Sequence, residues 1–179
     1  MFRNQHSIVT RRLFAGLAIT TLMMTSGLAW ADNNRICDYR GSWYGTFPNS
    51  QLTSLATAHG ASHSKGSAVL EVPGADLSFL SAVKVSSFRG TWETIDNRSF
   101  AFTFVGYGLN VSGQTVVIVK ISGTGTFATN CTSITVNNTT EIFSGAQDPF
   151  GDEPPVYGYD RGEEHSISRM RVDPPAEPL

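Results

Sequence analysis

SFAFTFVGYGLNVSGQTVVIVKISGTGTF, Ser99 to Phe127, decides the fold. In its first nine residues Phe100, Phe102 and Phe104 fall on one face of an extended chain, and Ala101, Thr103 and Val105 on the other, because successive strand side chains point to opposite sides. QTVVIVKISGTGTF at 114–127 is rich in β-branched residues, and the intervening GLNVSG at 108–113 has the polar, Gly-containing chemistry of a hairpin connection. The stretch therefore reads as two long antiparallel strands joined by a tight turn.

Working outward, AVLEV at 68–72, SFRGTWETI at 87–95 and CTSITVNNTTEIF at 131–143 read as further strands. IDNRS and FATNC supply short polar connections between neighbours. Ile134, Val136 and Ile142 share a face opposite Ser133, Thr135, Asn137 and Thr139. One apolar face and one wet face fit a single curved sheet wrapped around its interior. The expected fold class is all-β, an antiparallel meander closed into a single small barrel. SQLTSLATAHG, from Ser50, is the one helix candidate, with Leu52, Leu55 and Ala56 on a face and Gly60 as its stop. Thr53 and Thr57 weaken that helix, and a short strand competes for the same residues. After Ser144 the chain turns acidic and rich in Pro and Gly, with one edge strand allowed before HSISRMRV supplies the last strand.

The first 31 residues carry Arg3, Arg11 and Arg12 and no acid, then the uncharged run LFAGLAITTLMMTSGLAWA ending in Ala29-Trp30-Ala31. That order of basic region, apolar region and small-x-small site is the signature of a cleaved secretory signal. About 18 uncharged residues also approach a bilayer-spanning length, so an uncleaved anchor is the competing reading. Arg11-Arg12 directly before the apolar region fits a twin-arginine address as well as an ordinary signal. The domain plan is 1–31 signal peptide, 32–171 barrel domain and 172–179 Pro-rich disordered tail, with localisation in a bacterial periplasm or outside the cell. Of 13 Lys+Arg and 15 Asp+Glu, only the three arginines fall in 1–31, so the remaining 148 residues carry a net charge of −5. An acidic chain without a basic block is a poor partner for nucleic acid or for anionic membrane. No membrane span is expected after processing. The two cysteines, Cys37 and Cys131, both lie in the exported part and are expected to form a disulfide.

Arg40-Gly41-Ser42-Trp43 opens the first strand, and Arg89-Gly90-Thr91-Trp92 repeats the phrase. A strand Gly permits a sharp bend or close backbone approach, and a Trp two residues on shares its face. A large ring beside a position without a side chain can plug the tapering end of a small barrel. Gly41, Trp43 and Gly90 are assigned structural roles on this ground, with Trp43 as the plug. The second phrase is read as the same local need and not as a duplicated domain.

Gly41-Ser42-Trp43-Tyr44 at the first strand of an all-β chain of this length resembles the calycins, the lipocalins and avidins, whose first strand carries Gly-x-Trp. The run from Arg89 to Phe127 is similar in plan to small exported bacterial proteins of lipocalin-like type. The resemblance implies a closed barrel with a cup. The Thr-Asp-Tyr triplet of lipocalins is missing, no C-terminal helix is evident, and avidin's ligand-binding polar set does not align, so biotin binding is not carried over.

Trp43, Trp92, Phe100, Phe102 and Phe104 either fill the core of a narrow barrel or line a cavity for a flat or greasy ligand. Trp92, Phe100, Phe102 and Phe104 are the candidate ligand-binding residues. His59 and His63 have a helical metal spacing, but Gly60, Ser62 and Gly66 favour a solvated loop. Asp148, Asp152, Glu153, Asp160, Glu163 and Glu164 lack calcium-loop spacing and read as an acidic surface. The sequons at Asn97, Asn110, Asn130, Asn137 and Asn138 matter only in a eukaryotic secretory path. No nucleophile elbow or HExxH occurs, and no catalytic residue, metal or cofactor is expected. Three functions follow: a carrier of a small hydrophobic or aromatic molecule that it does not transform, a barrel-type cyclase or isomerase, and a structural or inhibitory surface protein with a filled barrel. An open apolar interior favours the first, a buried Glu or Tyr in it the second, and a filled interior the third.

Overall fold

The computed structural model describes residues 36–46, 52–160 and 165–170. The chain divides into two units, Met1–Ile36 and Cys37–Leu179, and the strands all belong to the second. Residues 1–31, read from the sequence as a signal peptide, and 172–179, read as a Pro-rich tail, lie outside the described residues. No helix among those residues is long and apolar enough to cross a membrane.

Among the described residues ten strands follow one another: β1 Gly41–Thr46, β2 Thr53–His59, β3 Lys65–Glu71, β4 Lys84–Val85, β5 Phe88–Thr94, β6 Ser99–Leu109, β7 Thr115–Phe127, β8 Ser133–Ser144, β9 Tyr157–Asp160 and β10 His165–Arg169. The only helical element among the described residues is a 3₁₀ turn at Ser78–Leu80. Every pairing is antiparallel. Sequential neighbours pair from β1 through β3, then β5 through β8, and β10 closes the ring by pairing both β8 and β1. β4 and β5 lie along the same edge of β6, as β9 and β10 do along β8, so ten strands make eight staves. Closure leaves no long sheet edge unpaired.

SQLTSLATAHG resolves in favour of the strand. In β2, Ser54, Ala56 and Ala58 alternate inward, while Leu55, which a helix would have used for packing, is exposed. Strand alternation buries small side chains here, and that suits a narrow interior already crowded with rings.

Inward rings and inward glycines are matched in register. Phe100 pairs with Gly125 and Phe102 with Gly123 on β7, Phe104 with Gly90 on β5, and Trp92 with Gly66 on β3. A Cβ on Gly125 would stand 2.3 Å from the Phe100 ring, and one on Gly106 would stand 2.6 Å from Phe88. At Gly125 and Gly106 the missing side chain is thus space that a ring occupies, whereas at Gly66, Gly90 and Gly123 an added Cβ would meet backbone of the neighbouring strand, so there the need is close strand approach.

Candidate functional site

The segment before β1 closes one end of the barrel. Cys37 is tied to Cys131 in the β7–β8 connection, with Cα atoms 5.4 Å apart, and its N–H donates to Asn97 O at 2.8 Å. Those anchors set Tyr39 across the floor, where its ring stacks on Phe100 at 4.0 Å between centroids. Trp43 and Trp92 both converge on that ring, Trp43 near-parallel at 5.8 Å and Trp92 edge-on at 5.6 Å. Trp43 Nε1 donates to Tyr39 O at 2.7 Å, and the Arg169 guanidinium lies 5.5 Å from the Trp43 ring. The two Gly-x-Trp phrases therefore serve one structure, the aromatic floor around Tyr39. Their glycines serve different needs. At Gly41, φ is +126°, a conformation that disfavours a side chain, and an added Cβ would also meet Arg169. At Gly90 an added Cβ would stand 1.9 Å from Thr103 O, so the need is close approach to β6.

Above the floor the interior is not filled. A cavity of about 280 Å³ extends from Tyr39 and Trp43 to a mouth lined by Leu52, Asp76, Leu77 and Phe79. Its walls include Phe100, Phe102 and Phe104 from β6, Val119 and Ile121 from β7, and Val136 and Ile142 from β8. The polar exceptions are Ser54, Asn138 and Thr140, together with the Tyr39 phenol. Asn138 is 7% exposed, and its Nδ2 donates to Thr140 Oγ1 at 3.4 Å, the sole hydrogen bond of its side chain among the described residues. An amide can make four such bonds, so Asn138 retains capacity toward the cavity.

The rim is shaped by the connection 72–83. Asp76 Oδ1 accepts from Ser78 N at 2.8 Å, a left-handed Ser81 ends the 3₁₀ turn, and Leu77 bridges to Ala82. Phe79 stands exposed beside Tyr157, ring centroids 6.3 Å apart. The Ser78 backbone N–H holds the Asp76 carboxyl below its ordinary range, so the mouth carries a negative charge at neutral pH. Burial pushes the Tyr39 phenol well above its ordinary value, so it stays protonated and available as a donor. No hydrogen-bond partner for that hydroxyl occurs among the described residues. No Lys, Arg or His lines the cavity among those residues.

Of the residues singled out from the sequence, Phe100, Phe102 and Phe104 line this cavity and Trp43 forms part of its floor. Trp92 lies off the cavity, buried beside Tyr39 with Nε1 donating to His59 O at 3.3 Å. His59 and His63 flank an exposed turn, and among the described residues no three metal-ligating side chains cluster. The sequence reading missed Tyr39, Ser54, Asn138, Thr140 and the rim. Asn138 and Thr140 were within reach, since they share parity with Ile134, Val136 and Ile142. Tyr39 precedes the first strand and carried no periodic signal. No family model matches the chain, and neither the curated proteins nor the solved structures yield a match.

Proposed function

We propose that the barrel binds a small hydrophobic or aromatic molecule in its cup and does not transform it. The observation that carries this reading is the open cavity of about 280 Å³, walled by Phe, Val, Ile and Leu side chains with few polar groups. An apolar cavity of about 150 Å³ holds a benzene. This one is the size for a fused bicyclic ring. The Cys37–Cys131 disulfide fits a chain that works in an oxidising compartment outside the cytoplasm, as the N-terminal sequence predicts. The partner class is therefore a small molecule.

Titration with dimethylaminonaphthalene, a neutral fused bicyclic fluorophore of the size the cavity admits, tests the reading. Binding at micromolar concentration is expected, together with quenching of Trp43. Phe102→Trp should fill part of the void and weaken binding about tenfold while leaving stability within about 1 kcal/mol, because the added volume enters empty space. A several-fold larger loss of stability with no probe binding to the wild type would mean a filled interior, and the structural reading would replace this one.

Tyr39 favours a second reading. A barrel that steers a cyclisation or isomerisation needs a shaped cavity and a hydrogen-bond donor aimed at developing negative charge, and a phenol that stays protonated on the floor supplies one. Recovery of every bound molecule unchanged after prolonged incubation separates carriage from this alternative.

A further inference from the structure

We infer that the cavity selects a neutral ring compound bearing a hydrogen-bonding oxygen, with Tyr39 and Asn138 as its polar anchors. This rests on the ligand-binding reading and names the ligand class. Four polar residues, Tyr39, Ser54, Asn138 and Thr140, interrupt an otherwise apolar interior, and of these the Tyr39 phenol and the Asn138 amide are the larger polar groups, with hydrogen-bonding capacity that the described residues leave unused. The Tyr39 hydroxyl belongs to a residue 4% exposed that borders the cavity, and no described residue bonds to it. Asn138, 7% exposed, has only the long contact to Thr140. A hydrocarbon filling the cavity would strip water from polar atoms that face it and bring them no partner, which is costly. A carbonyl oxygen accepts from the phenol or from the amide, and a hydroxyl can also donate to the Asn138 oxygen. The rim and interior argue against an anion. Asp76 at the mouth repels a carboxylate, and the two interior anchors are neutral.

Three matched probes separate these terms in calorimetric titrations at neutral pH: acetylnaphthalene, ethylnaphthalene and naphthoic acid. The ketone is expected to bind about tenfold more tightly than the hydrocarbon, the worth of one good hydrogen bond, and the ionised acid most weakly. Tyr39→Phe and Asn138→Leu are the test variants. At least one should lower the ratio of ketone to ethylnaphthalene affinity about tenfold, and a loss confined to one variant assigns the oxygen to that residue. Equal binding of ketone and hydrocarbon, or variants that leave the ketone unaffected, would overturn the polar selection while leaving the carrier reading intact. Naphthoic acid binding as tightly as the ketone would overturn the preference for a neutral ligand. Failure of all three probes to bind would remove the ligand-binding reading itself and this inference with it.

Discussion

Trp43 has no exposed surface, and its ring is held by Tyr39, Phe127 and Arg169 together. Trp43→Ala should therefore cost about 3–5 kcal/mol, since the floor keeps the hole that truncation leaves. Denaturant unfolding checks this, and a loss below about 1 kcal/mol would mean that the ring does not plug the barrel. Beside it, Asp38 accepts from Arg40 Nε at 2.9 Å, and that hydrogen bond holds its carboxyl below the usual carboxylate range. A depressed native value contributes stability that is present above the unfolded-state pKa of about 4 and is lost as pH falls through the folded value. Both side chains are about a third exposed, so Asp38→Asn should cost at most about 1 kcal/mol at pH 7, with the difference closing in acid unfolding curves. At this scale the sequence was legible wherever periodicity or a motif spoke. Phe100, Phe102 and Phe104 were found by alternation, whereas Tyr39 acts through contacts that form only when the chain before β1 folds across the barrel.

Two devices fasten elements together. The Cys37–Cys131 bridge, spanning 94 residues of sequence, ties the floor segment to the β7–β8 connection. Replacing both cysteines by Ser should cost about 4–5 kcal/mol by chain entropy, measured as a shift of the unfolding midpoint relative to the oxidised protein. On the outer wall, Lys120 of β7 bonds Glu141 Oε2 at 2.7 Å and Pro149 O at 3.0 Å, and lies near the Phe143 and Phe150 rings. Lys120 thereby ties the β8–β9 connection to the wall beside Phe143, which is buried although the neighbouring Ile142 is the residue that lines the cavity. Lys120→Met should cost about 1–2 kcal/mol and speed amide exchange at Gln147 and Gly151 more than in β6. The long strands β5 to β8 were readable because alternation persists over many residues. β2 was ambiguous because its inward residues are Ser and Ala, too small to mark a face, and β4, only two residues long, gave no signal.

For the whole molecule, closure depends on the short β10 reaching both β8 and β1, a long-range pairing that strand propensity cannot announce. One apolar and one wet face per strand was legible and fits a curved sheet closed on itself, but a sandwich shares that pattern, so the barrel reading leaned on the resemblance carried by Gly41-Ser42-Trp43. Whether the barrel holds a void was not, because aromatic inward positions fit both outcomes, and only the register of rings against glycines fixes how much space remains. Whether the interior takes a ligand is read directly from a crystal of the protein soaked with bromonaphthalene and measured at the bromine absorption edge. One strong anomalous peak is expected inside the barrel, between the Phe102 and Phe104 rings and Asn138. An interior without a peak, with the Phe102 and Phe104 rings packed across the space, would contradict ligand binding there.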